Sequence, residues 1–280
     1  MPELPEVEVT RRALAPYVEG LTVHAVRVRD RRLRWPVPAR LGRTLAGRSL
    51  LTLDRRAKYL LWRFDHGTLI SHLGMSGSWR LHLEAPPTPG AHDHADIEFS
   101  AGTGPPRIAR LTDPRRFGAL LWHPSGRGDL ARHPLLSHLG LEPFDPRFDA
   151  PYLHAATRGR RTPIKLALLG GDIVVGVGNI YASESLFRAR IHPALPAHRL
   201  GLARCDRLVQ AVRAVLADAI EAGGSTLRNF IGADGSAGYF TLAARVYDRA
   251  GLACKVCGST IRRMIQGQRA TFFCPHCQRR

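Results

Sequence analysis

Lysine is scarce in this chain. Its 280 residues include 41 Lys+Arg, but only Lys58, Lys165 and Lys255 are lysines. Arginine remains protonated in proteins, whereas a lysine amine can be tuned to give or take a proton. We therefore expect some of the three lysines to serve chemistry that arginine cannot supply.

Long apolar stretches are absent as well. No run reaches the roughly 18 residues that indicate a membrane-spanning helix, and the first residues are acidic rather than apolar. The start of the chain therefore lacks the apolar region of a secretory signal. Hydrophobic residues still make up 44% of the sequence, which is enough for a substantial core and excludes wholesale disorder. We expect a folded cytosolic protein with no membrane partner.

Acidic residues are few relative to basic ones, with 23 Asp+Glu and a net charge of +18. Residues 151–280 carry 19 basic and 7 acidic residues, so this part is the more basic. A cationic excess of this size favours a polyanionic partner, because each phosphate contact releases condensed counterions. Charge alone favours nucleic acid, and it leaves a ribosomal protein, a membrane-surface protein and a generally cationic surface as alternatives.

Periodicity predicts a β-rich first part. Residues 4–18 predict a helix with Pro5 in its first turn. Short runs rich in valine, leucine and tryptophan, separated by turn residues, then predict an antiparallel sandwich or barrel. These runs are residues 21–28, 50–53, 59–64, 68–73, 108–111 and 119–122. Residues 84–107, rich in proline, glycine and histidine, are predicted to form a long connection.

The pattern becomes helical from about residue 128 onward. Its clearest helix covers residues 203–222, where apolar residues line one face and Gly223 and Gly224 follow the last turn. Residues 224–243 form a glycine-rich stretch that is predicted to be a mobile loop. The last 30 residues are predicted to form a separate unit, because they contain most of the cysteines.

Four of the five cysteines form two close pairs near the end of the chain. Each pair is separated by two residues, with 16 residues between the pairs. This spacing is typical of a tetrahedral zinc site with four thiolate ligands, which is structural because no position stays open for catalysis. The predicted ligands of one structural Zn²⁺ are Cys254, Cys257, Cys274 and Cys277.

Other interpretations of the cysteines are disulfides, which a cytosolic location disfavours, and a redox pair. His276 lies between two of the ligands and is a weaker candidate ligand, whereas Cys205 is predicted to be a packed thiol. Between the two pairs lie Arg262, Arg263 and Arg269. A zinc-stabilised hairpin with three arginines suits phosphate binding, although a solvated face explains each arginine equally well.

The chain opens with Met1-Pro2-Glu3. A small second residue generally permits removal of the initiator methionine, which leaves Pro2 with a free secondary amine. The positive end of a helix dipole favours the neutral, nucleophilic amine, whereas Glu3 and Glu6 oppose that effect. A secondary amine that attacks a sugar C1′ forms an iminium, and Glu3 can serve as acid or base. Taken alone, the same residues also make an ordinary helix start.

Several longer motifs now combine with the cysteine cluster. They are Pro-Glu-Leu-Pro-Glu-Val-Glu at 2–8, Arg-Ala-Lys-Tyr-Leu at 56–60, His-Leu-Gly-Met-Ser-Gly at 72–77, Asp-Pro-Arg-Arg-Phe-Gly at 113–118 and Gly-Val-Gly-Asn-Ile-Tyr-Ala-Ser-Glu at 176–184. In this order they closely resemble formamidopyrimidine-DNA glycosylase, the bacterial 8-oxoguanine glycosylase and lyase family. The resemblance extends from residue 2 to residue 277.

The resemblance implies an α+β multidomain fold. A catalytic antiparallel β-sandwich with a leading helix would cover residues 1–127, and a helical helix–two-turn–helix DNA-binding domain residues 128–245. A four-cysteine zinc hairpin would cover residues 246–280. The family location is the bacterial cytoplasm, with nucleoid association through DNA binding, and a monomer is expected.

The activity that the resemblance implies is bifunctional base excision repair. Pro2 attacks C1′ beneath an oxidised purine, Glu3 assists ring opening and proton transfer, and Glu6 supports the site. Lys58 falls where the family keeps a lysine for catalysis and phosphate contact. Arg269 matches the residue that assists the second step of a β,δ-elimination, which nicks the strand.

The resemblance also implies DNA contacts. A lesion must leave the base stack before the amine reaches C1′, at a cost of a few kcal/mol. Met75, Arg115 and Phe117 match the residues with which the family fills the space left by the flipped base, and Arg115 would form hydrogen bonds with the orphaned cytosine. Residues 224–243 match the loop that covers the flipped base in the family. Arg228 lies in this loop and has no assigned role. The expected DNA-binding residues are Met75, His92, Arg115, Phe117, Arg160, Lys165 and Asn179.

Two other functions remain under consideration. The related endonuclease that prefers oxidised pyrimidines shares the Pro-Glu start and the zinc unit, although the Arg115 and Phe117 pair favours the purine enzyme. A non-catalytic protein that binds damaged DNA would keep the fold without chemistry. The presence of Pro2, Glu3 and Lys58 argues against that second alternative.

Overall fold

The computed structural model describes residues 2–102, 104–224 and 244–279. The chain divides into two compact units. Of the described residues, the first unit contains those up to 137 together with 223 and 224, and the second contains 138–222 and those from 244 onward. The division into three domains at 127 and 245 stays a prediction.

The first unit is an antiparallel β-sandwich with a leading helix, as the sequence predicts. Helix α1 (Leu4–Val18) precedes the strands, and the short helix α2 (Leu41–Leu45) follows the first of them. Two four-stranded sheets have the orders β1-β6-β7-β5 and β2-β3-β4-β8. The strands are β1 (Thr22–Val28), β2 (Leu50–Arg56), β3 (Tyr59–Phe64), β4 (Gly67–His72), β5 (Ser78–His82), β6 (Asp93–Ser100), β7 (Arg107–Thr112) and β8 (Ala119–Pro124).

Aromatic side chains from both sheets meet in the core of the sandwich. The ring of Trp62 on β3 lies 5.1 Å from that of Trp79 on β5 and 6.3 Å from that of Phe99 on β6. Val7 and Leu14 of α1 belong to the same buried cluster. Burial of large aromatic surfaces of this kind is a major source of stability, so α1 is held against the sandwich by the core itself.

All six predicted strands are confirmed, but β5 and β6 were not predicted. Strand β6 lies inside residues 84–107, so the prediction of one long connection there is wrong. One face of β6 carries the buried Asp96, which accepts hydrogen bonds from Arg110 at 2.9 and 3.0 Å. Residues 95–99 do alternate between apolar and polar, and Ala95, Ile97 and Phe99 are buried in the core. The many proline, glycine and histidine residues around this short alternation made the whole segment resemble a connection.

The second unit is helical. It contains α3 (Ala150–Thr157), α4 (Ile164–Gly170), α5 (Asn179–Arg188) and α6 (Leu202–Glu221). Helix α6 agrees with the predicted helix 203–222 and packs against α3 and α5. Gly223 and Gly224 follow it with φ angles of +73° and +83°, a conformation that glycine adopts readily at a helix end. Within the described parts of the chain, no helix has the length and apolarity to span a membrane.

A two-stranded hairpin completes the second unit. It consists of β9 (Arg262–Gln266) and β10 (Arg269–Phe273). Gly267 and Gln268 form the turn, and both have positive φ angles, of 52° and 60°, as a tight hairpin turn requires. Phe272 and Ile261 pack with Phe187 of α5 in one buried cluster, so the hairpin is anchored to α5.

Glu8 links α1 to the β2–β3 turn. Its carboxylate accepts hydrogen bonds from Arg11, Arg12 and Arg55, the last at 3.0 Å. Arg55 also donates to the carbonyl of Ala57 at 3.0 Å. Burial raises the pKa of Glu8, but the three arginine hydrogen bonds outweigh it and lower the pKa to about 2. The carboxylate therefore stays ionised and holds the turn from the side of the helix.

We expect E8Q to lower the free energy of unfolding by about 1–2 kcal/mol at neutral pH, because a charged acceptor is lost. The pKa of Glu8 falls from 4.5 to about 2 on folding. Its contribution is therefore complete above pH 4.5 and is lost as the pH falls toward 2. Urea unfolding of both proteins, followed by circular dichroism at several pH values, measures the difference.

The control is E84Q, since Glu84 is exposed and makes no ion pair with the described residues. It should match the wild type at every pH. Equal stability of E8Q and E84Q at neutral pH would contradict the role of Glu8.

Candidate active site and nucleic-acid interface

The start of α1 fixes Pro2 and Glu3. Glu3 is the N-cap residue, and its backbone N–H donates to the Glu6 carboxylate at 2.7 Å. This hydrogen bond is part of a capping box, which satisfies N–H groups that have no partner within the helix. Glu3 and Glu6 are both buried, at 2% and 1% exposure. The amide directly after Pro2 is therefore held, and the orientation of Pro2 is restricted with it.

Lys58 lies in the two-residue turn between β2 and β3, and its side chain is partly exposed. Its neighbour Ala57 has a φ of 54°, a conformation that is unfavourable for a residue with a Cβ. The hydrogen bond from Arg55 to the Ala57 carbonyl supports this turn. Burial, followed by the charges of Lys58 and Arg34, lowers the pKa of His72 to about 4. His72 is therefore neutral at physiological pH, and the Lys58 charge lies within electrostatic range of it.

Two loops of the sandwich are joined by Asp113, which is completely buried. Its carboxylate accepts hydrogen bonds from the Ser76 hydroxyl and from the Gly118 N–H, both at 2.7 Å. Gly74 has a φ of +62°, and a Cβ there would lie 2.3 Å from the carbonyl carbon of Phe117. The backbones of the two loops therefore touch, and glycine is required at that contact.

Three of the predicted DNA-binding residues project from these joined loops. Met75 and Phe117 are 40% and 44% exposed, so neither is a core residue. The guanidinium of Arg115 lies 5.0 Å from the centre of the Phe117 ring, within range of a cation–π contact. His92 is exposed, and its carbonyl accepts the Asp113 N–H at 3.0 Å. The four side chains therefore come from one set of connected loops.

In the second unit, a buried amino group connects α4, α5 and β10. Lys165 is fully buried, and its Nζ donates to Asn179 Oδ1 at 2.7 Å, to Thr271 Oγ1 at 2.8 Å and to the Ala270 carbonyl at 3.1 Å. Asn179 Nδ2 donates to the same Ala270 carbonyl at 3.0 Å. The Asn179 amide is thus held at the first residue of α5, directly beside the residue that follows Arg269.

The predicted DNA-binding residues of the second unit differ in their exposure. Asn179 is partly exposed at the N-terminus of α5, where the positive end of the helix dipole suits an anion. Arg269 is exposed. The amino group of Lys165 points into the protein, so its contact with DNA stays a prediction. Arg160, between α3 and α4, forms an ion pair with Asp172 at 2.8 Å.

The four cysteines come together as predicted. Their sulfur atoms all lie within 4.8 Å of one another. Around a zinc ion with Zn–S distances of about 2.3 Å, tetrahedral sulfurs are about 3.8 Å apart, so the cluster fits a structural metal. His276 is not part of this cluster. Cys205 is a packed thiol as predicted: it is fully buried, and burial raises its pKa to about 11.

The remaining predicted features are the two arginines of β9, Lys255 and the lid. Arg262 and Arg263 are exposed on β9, and Lys255 donates to the Ala244 carbonyl at 3.1 Å. The predicted lid at 224–243, with Arg228, lies outside the described residues except for Gly224. Its Cβ position would be 3.3 Å from the Glu6 side chain.

Sequence reasoning missed the residues that support the site. Asp113 had a recognisable signal, because aspartate before proline often accepts backbone N–H groups in a turn. The link from Glu8 to Arg55 had none, since it joins residues 47 positions apart.

Comparisons with known proteins agree with this architecture. The model of the formamidopyrimidine-DNA glycosylase N-terminal domain matches residues 1–120, and that of the family's H2TH domain matches residues 139–231. A model of the zinc finger found in FPG and IleRS matches residues 251–280. A β-sandwich, a helix–two-turn–helix and a four-cysteine finger in this order define a class of DNA-repair glycosylases.

Individual relatives narrow the class. The formamidopyrimidine-DNA glycosylase of Bordetella pertussis is 59% identical over 281 residues and covers 100% of both chains. A complex of a Lactococcus lactis Fpg mutant with Fapy-dG DNA superposes with a TM-score of 0.89 at 30% identity, covering 100% of both chains. A complex of wild-type Lactococcus lactis Fpg with oxidised-pyrimidine DNA superposes with a TM-score of 0.88 at 31% sequence identity, and it also covers 100% of both chains. The chain belongs to the formamidopyrimidine-DNA glycosylase family.

Removing the buried amino group tests its structural role. We expect K165M to lower the free energy of unfolding by about 2–4 kcal/mol, because buried acceptors on Asn179, Ala270 and Thr271 lose a donor. The control K255M removes an exposed lysine and should change stability by less than about 0.5 kcal/mol. Urea unfolding followed by circular dichroism compares them. If K165M is as stable as K255M, Lys165 does not hold α4, α5 and β10 together.

Proposed function

We propose that this protein is a bifunctional DNA glycosylase and AP lyase that excises oxidised purines from double-stranded DNA and nicks the strand. Pro2, freed by removal of Met1, is the nucleophile. The protein acts as a monomer in the bacterial cytoplasm, on DNA of the nucleoid. The observation that carries the proposal is that one helix, α1, positions the Pro2-Glu3 start and also holds the Lys58 turn through Glu8 and Arg55.

In the first chemical step, the lone pair of the Pro2 nitrogen attacks C1′ of the damaged nucleotide. The bond from C1′ to the base breaks, and its electrons leave with the base. The Pro2 nitrogen loses its N–H proton, and the departing base takes up a proton. Glu3 gives a proton to the ring oxygen O4′ as the C1′–O4′ bond opens, and an iminium joins Pro2 to C1′. The position of Glu3 directly after Pro2, buried at 2% exposure and held by the capping box, supports this role.

Strand cleavage follows from the iminium. Loss of a proton from C2′ expels the 3′ phosphate, and a second elimination expels the 5′ phosphate. The ammonium group of Lys58 contacts a phosphate beside the lesion. Arg55 supports the turn that carries Lys58 through its hydrogen bonds to Glu8 and to the Ala57 carbonyl, and this support keeps the charge of Lys58 in place. Arg269 assists the second elimination.

Met75, Arg115 and Phe117 fill the space that the flipped nucleotide leaves. Two half-exposed apolar side chains are costly in water unless a ligand covers them. Their support by the buried Asp113 makes them rigid enough to enter a base stack. Arg115 faces the orphaned cytosine with its hydrogen-bond donors, and His92 contacts the backbone close by.

The second unit binds phosphates. Asn179 and the first N–H groups of α5 offer donors where the helix dipole is positive, and Arg160 and Arg269 add charge. Lys165 contributes to this DNA-binding region, in part by fixing the Asn179 amide at 2.7 Å.

The metal of the four-cysteine cluster is Zn²⁺. Four sulfur ligands are typical of structural zinc, which stabilises a fold when bound and has no open coordination position. Cys254, Cys257, Cys274 and Cys277 hold it, and the hairpin that carries Arg269 is thereby fixed. Lys255 contributes charge, in addition to its hydrogen bond to the Ala244 carbonyl.

A second substrate class has specific support. A Lactococcus lactis Fpg has been crystallised with oxidised-pyrimidine DNA. Oxidised pyrimidines are therefore the alternative substrate, and binding of damage without catalysis is the remaining alternative.

Borohydride trapping tests the covalent mechanism. On a duplex with one 8-oxoguanine opposite cytosine, we expect a protein–DNA adduct that maps to Pro2 by mass spectrometry. The variant P2G should reduce base excision by roughly a hundredfold or more while DNA binding is nearly kept. The control P5A leaves the terminal imino group in place and should still form the adduct.

Other outcomes of the trapping and excision experiments would contradict this proposal. Adducts only on a duplex with an oxidised pyrimidine would contradict the purine preference. Tight binding without an adduct on either duplex, by a chain that has lost Met1, would identify a recognition protein. Unchanged turnover by P2G would remove the proposed nucleophile.

Metal analysis tests the zinc assignment. We expect about one zinc per chain, loss of zinc in C254S, and DNA affinity at least about tenfold lower because the hairpin arginines lose their positions. The control C205S alters a cysteine outside the cluster and should keep its zinc. Full DNA affinity of C254S, measured by fluorescence anisotropy, would show that the metal does not support binding.

A further inference from the structure

A recess of about 490 Å³ lies in the second unit, at the C-terminal ends of α5 and α6. Its apolar lining includes Phe187, Val215 and Val256. Val256 is 59% exposed, so the apolar lining continues from the recess onto the surface of the cysteine hairpin. A recess of this size accommodates one large side chain with room for its flanking residues.

The rim of the recess is positively charged. It carries Arg188, Arg190 and Arg245, together with the acidic residues Glu184 and Asp218. Both acids are already engaged. Glu184 accepts backbone N–H groups from residues 245–247 at 2.8–2.9 Å, and Asp218 forms an ion pair with Arg188 at 2.7 Å. Arg190 and Arg245 are exposed and make no ion pair with any described residue, so the rim attracts anions.

Arg190 stands in an unfavourable backbone conformation. Its φ is 57°, directly after the last turn of α5, where its N–H donates to the Phe187 carbonyl at 3.0 Å. Helices commonly place glycine at this position, because a Cβ is disfavoured there. A long charged side chain at a site that favours glycine indicates a use for that side chain.

The recess is remote from the phosphate-binding end of α5. Asn179 is the first residue of this ten-residue helix, and Arg188 is the last. At 1.5 Å per residue, the two ends are about 14 Å apart. The apolar group that duplex DNA presents in its major groove is the thymine methyl, which is too small to fill a recess of about 490 Å³. The charge on the rim and the apolar lining therefore fit a ligand other than the DNA substrate.

We propose that this recess binds an acidic peptide segment of a partner protein. A large apolar side chain of the segment enters between Phe187, Val215 and Val256, and its carboxylates pair with Arg190 and Arg245. The complex leaves the DNA-binding residues of α5 and the hairpin accessible, so the protein binds its partner and DNA at the same time.

The test uses a fluorescein-labelled peptide of four aspartates followed by a C-terminal phenylalanine, with fluorescence anisotropy on the full zinc-loaded chain. R190G should bind it about threefold more weakly, and R190G with R245A about tenfold. The control R199A removes an exposed arginine of the same unit and should bind as the wild type does. R190G should also be at least as thermally stable as the wild type, because glycine adopts this φ freely, so misfolding cannot explain its weaker binding.

Two further peptides test the chemistry of the ligand. Replacing the phenylalanine by serine should weaken binding, and replacing the aspartates by lysines should abolish it. The affinity of R190G for damaged duplex DNA should equal that of the wild type. The proposal is overturned by absence of binding at millimolar peptide, by equal binding to R190G and wild type, or by competition between peptide and duplex DNA.

Discussion

The hydrogen bond from the Glu3 amide to the Glu6 carboxylate is the contact on which the proposed active site depends. A chain terminus is ordinarily the most mobile part of a protein, yet the proposed chemistry needs it within bonding distance of a sugar. The capping box turns the terminus into the first turn of a helix, and the helix is buried in the sandwich through Val7 and Leu14. The position of Pro2, the proposed nucleophile, is therefore determined by the core.

Buried carboxylates that accept backbone N–H groups also occur elsewhere in the chain. Asp113 accepts the Gly118 N–H and joins two loops, and Glu184 accepts three successive N–H groups at residues 245–247. In a chain with a net charge of +18, these acidic residues are buried and directed at the backbone. Most of the arginines in the described residues are exposed at least in part, where they are available for the proposed phosphate contacts. The few acidic residues thus stabilise the fold, whereas the many basic residues are available for the proposed DNA binding.

Local patterns in the sequence were sufficient for much of the fold. Helix α1 has the predicted bounds, and β3 agrees with its apolar run residue for residue. Strand β6 was missed although Ala95, Ile97 and Phe99 alternate with polar residues, because proline and glycine on both sides gave the segment the composition of a loop. In the site, the cysteine spacing was enough to predict the cluster. The inward orientation of Lys165 was not predictable, since its acceptors on β10 lie more than 100 residues away.

The aromatic core of the sandwich has a practical consequence. All four tryptophans, Trp35, Trp62, Trp79 and Trp122, belong to the first unit, and the second unit contains none. Indole emission therefore reports on the β-sandwich alone, whereas most of the helical ellipticity arises from the second unit. Recording both signals during one denaturation shows whether the two units melt as a single cooperative block or in succession. The protein thus carries an intrinsic, label-free probe of the coupling between its β-sandwich unit and its helical unit.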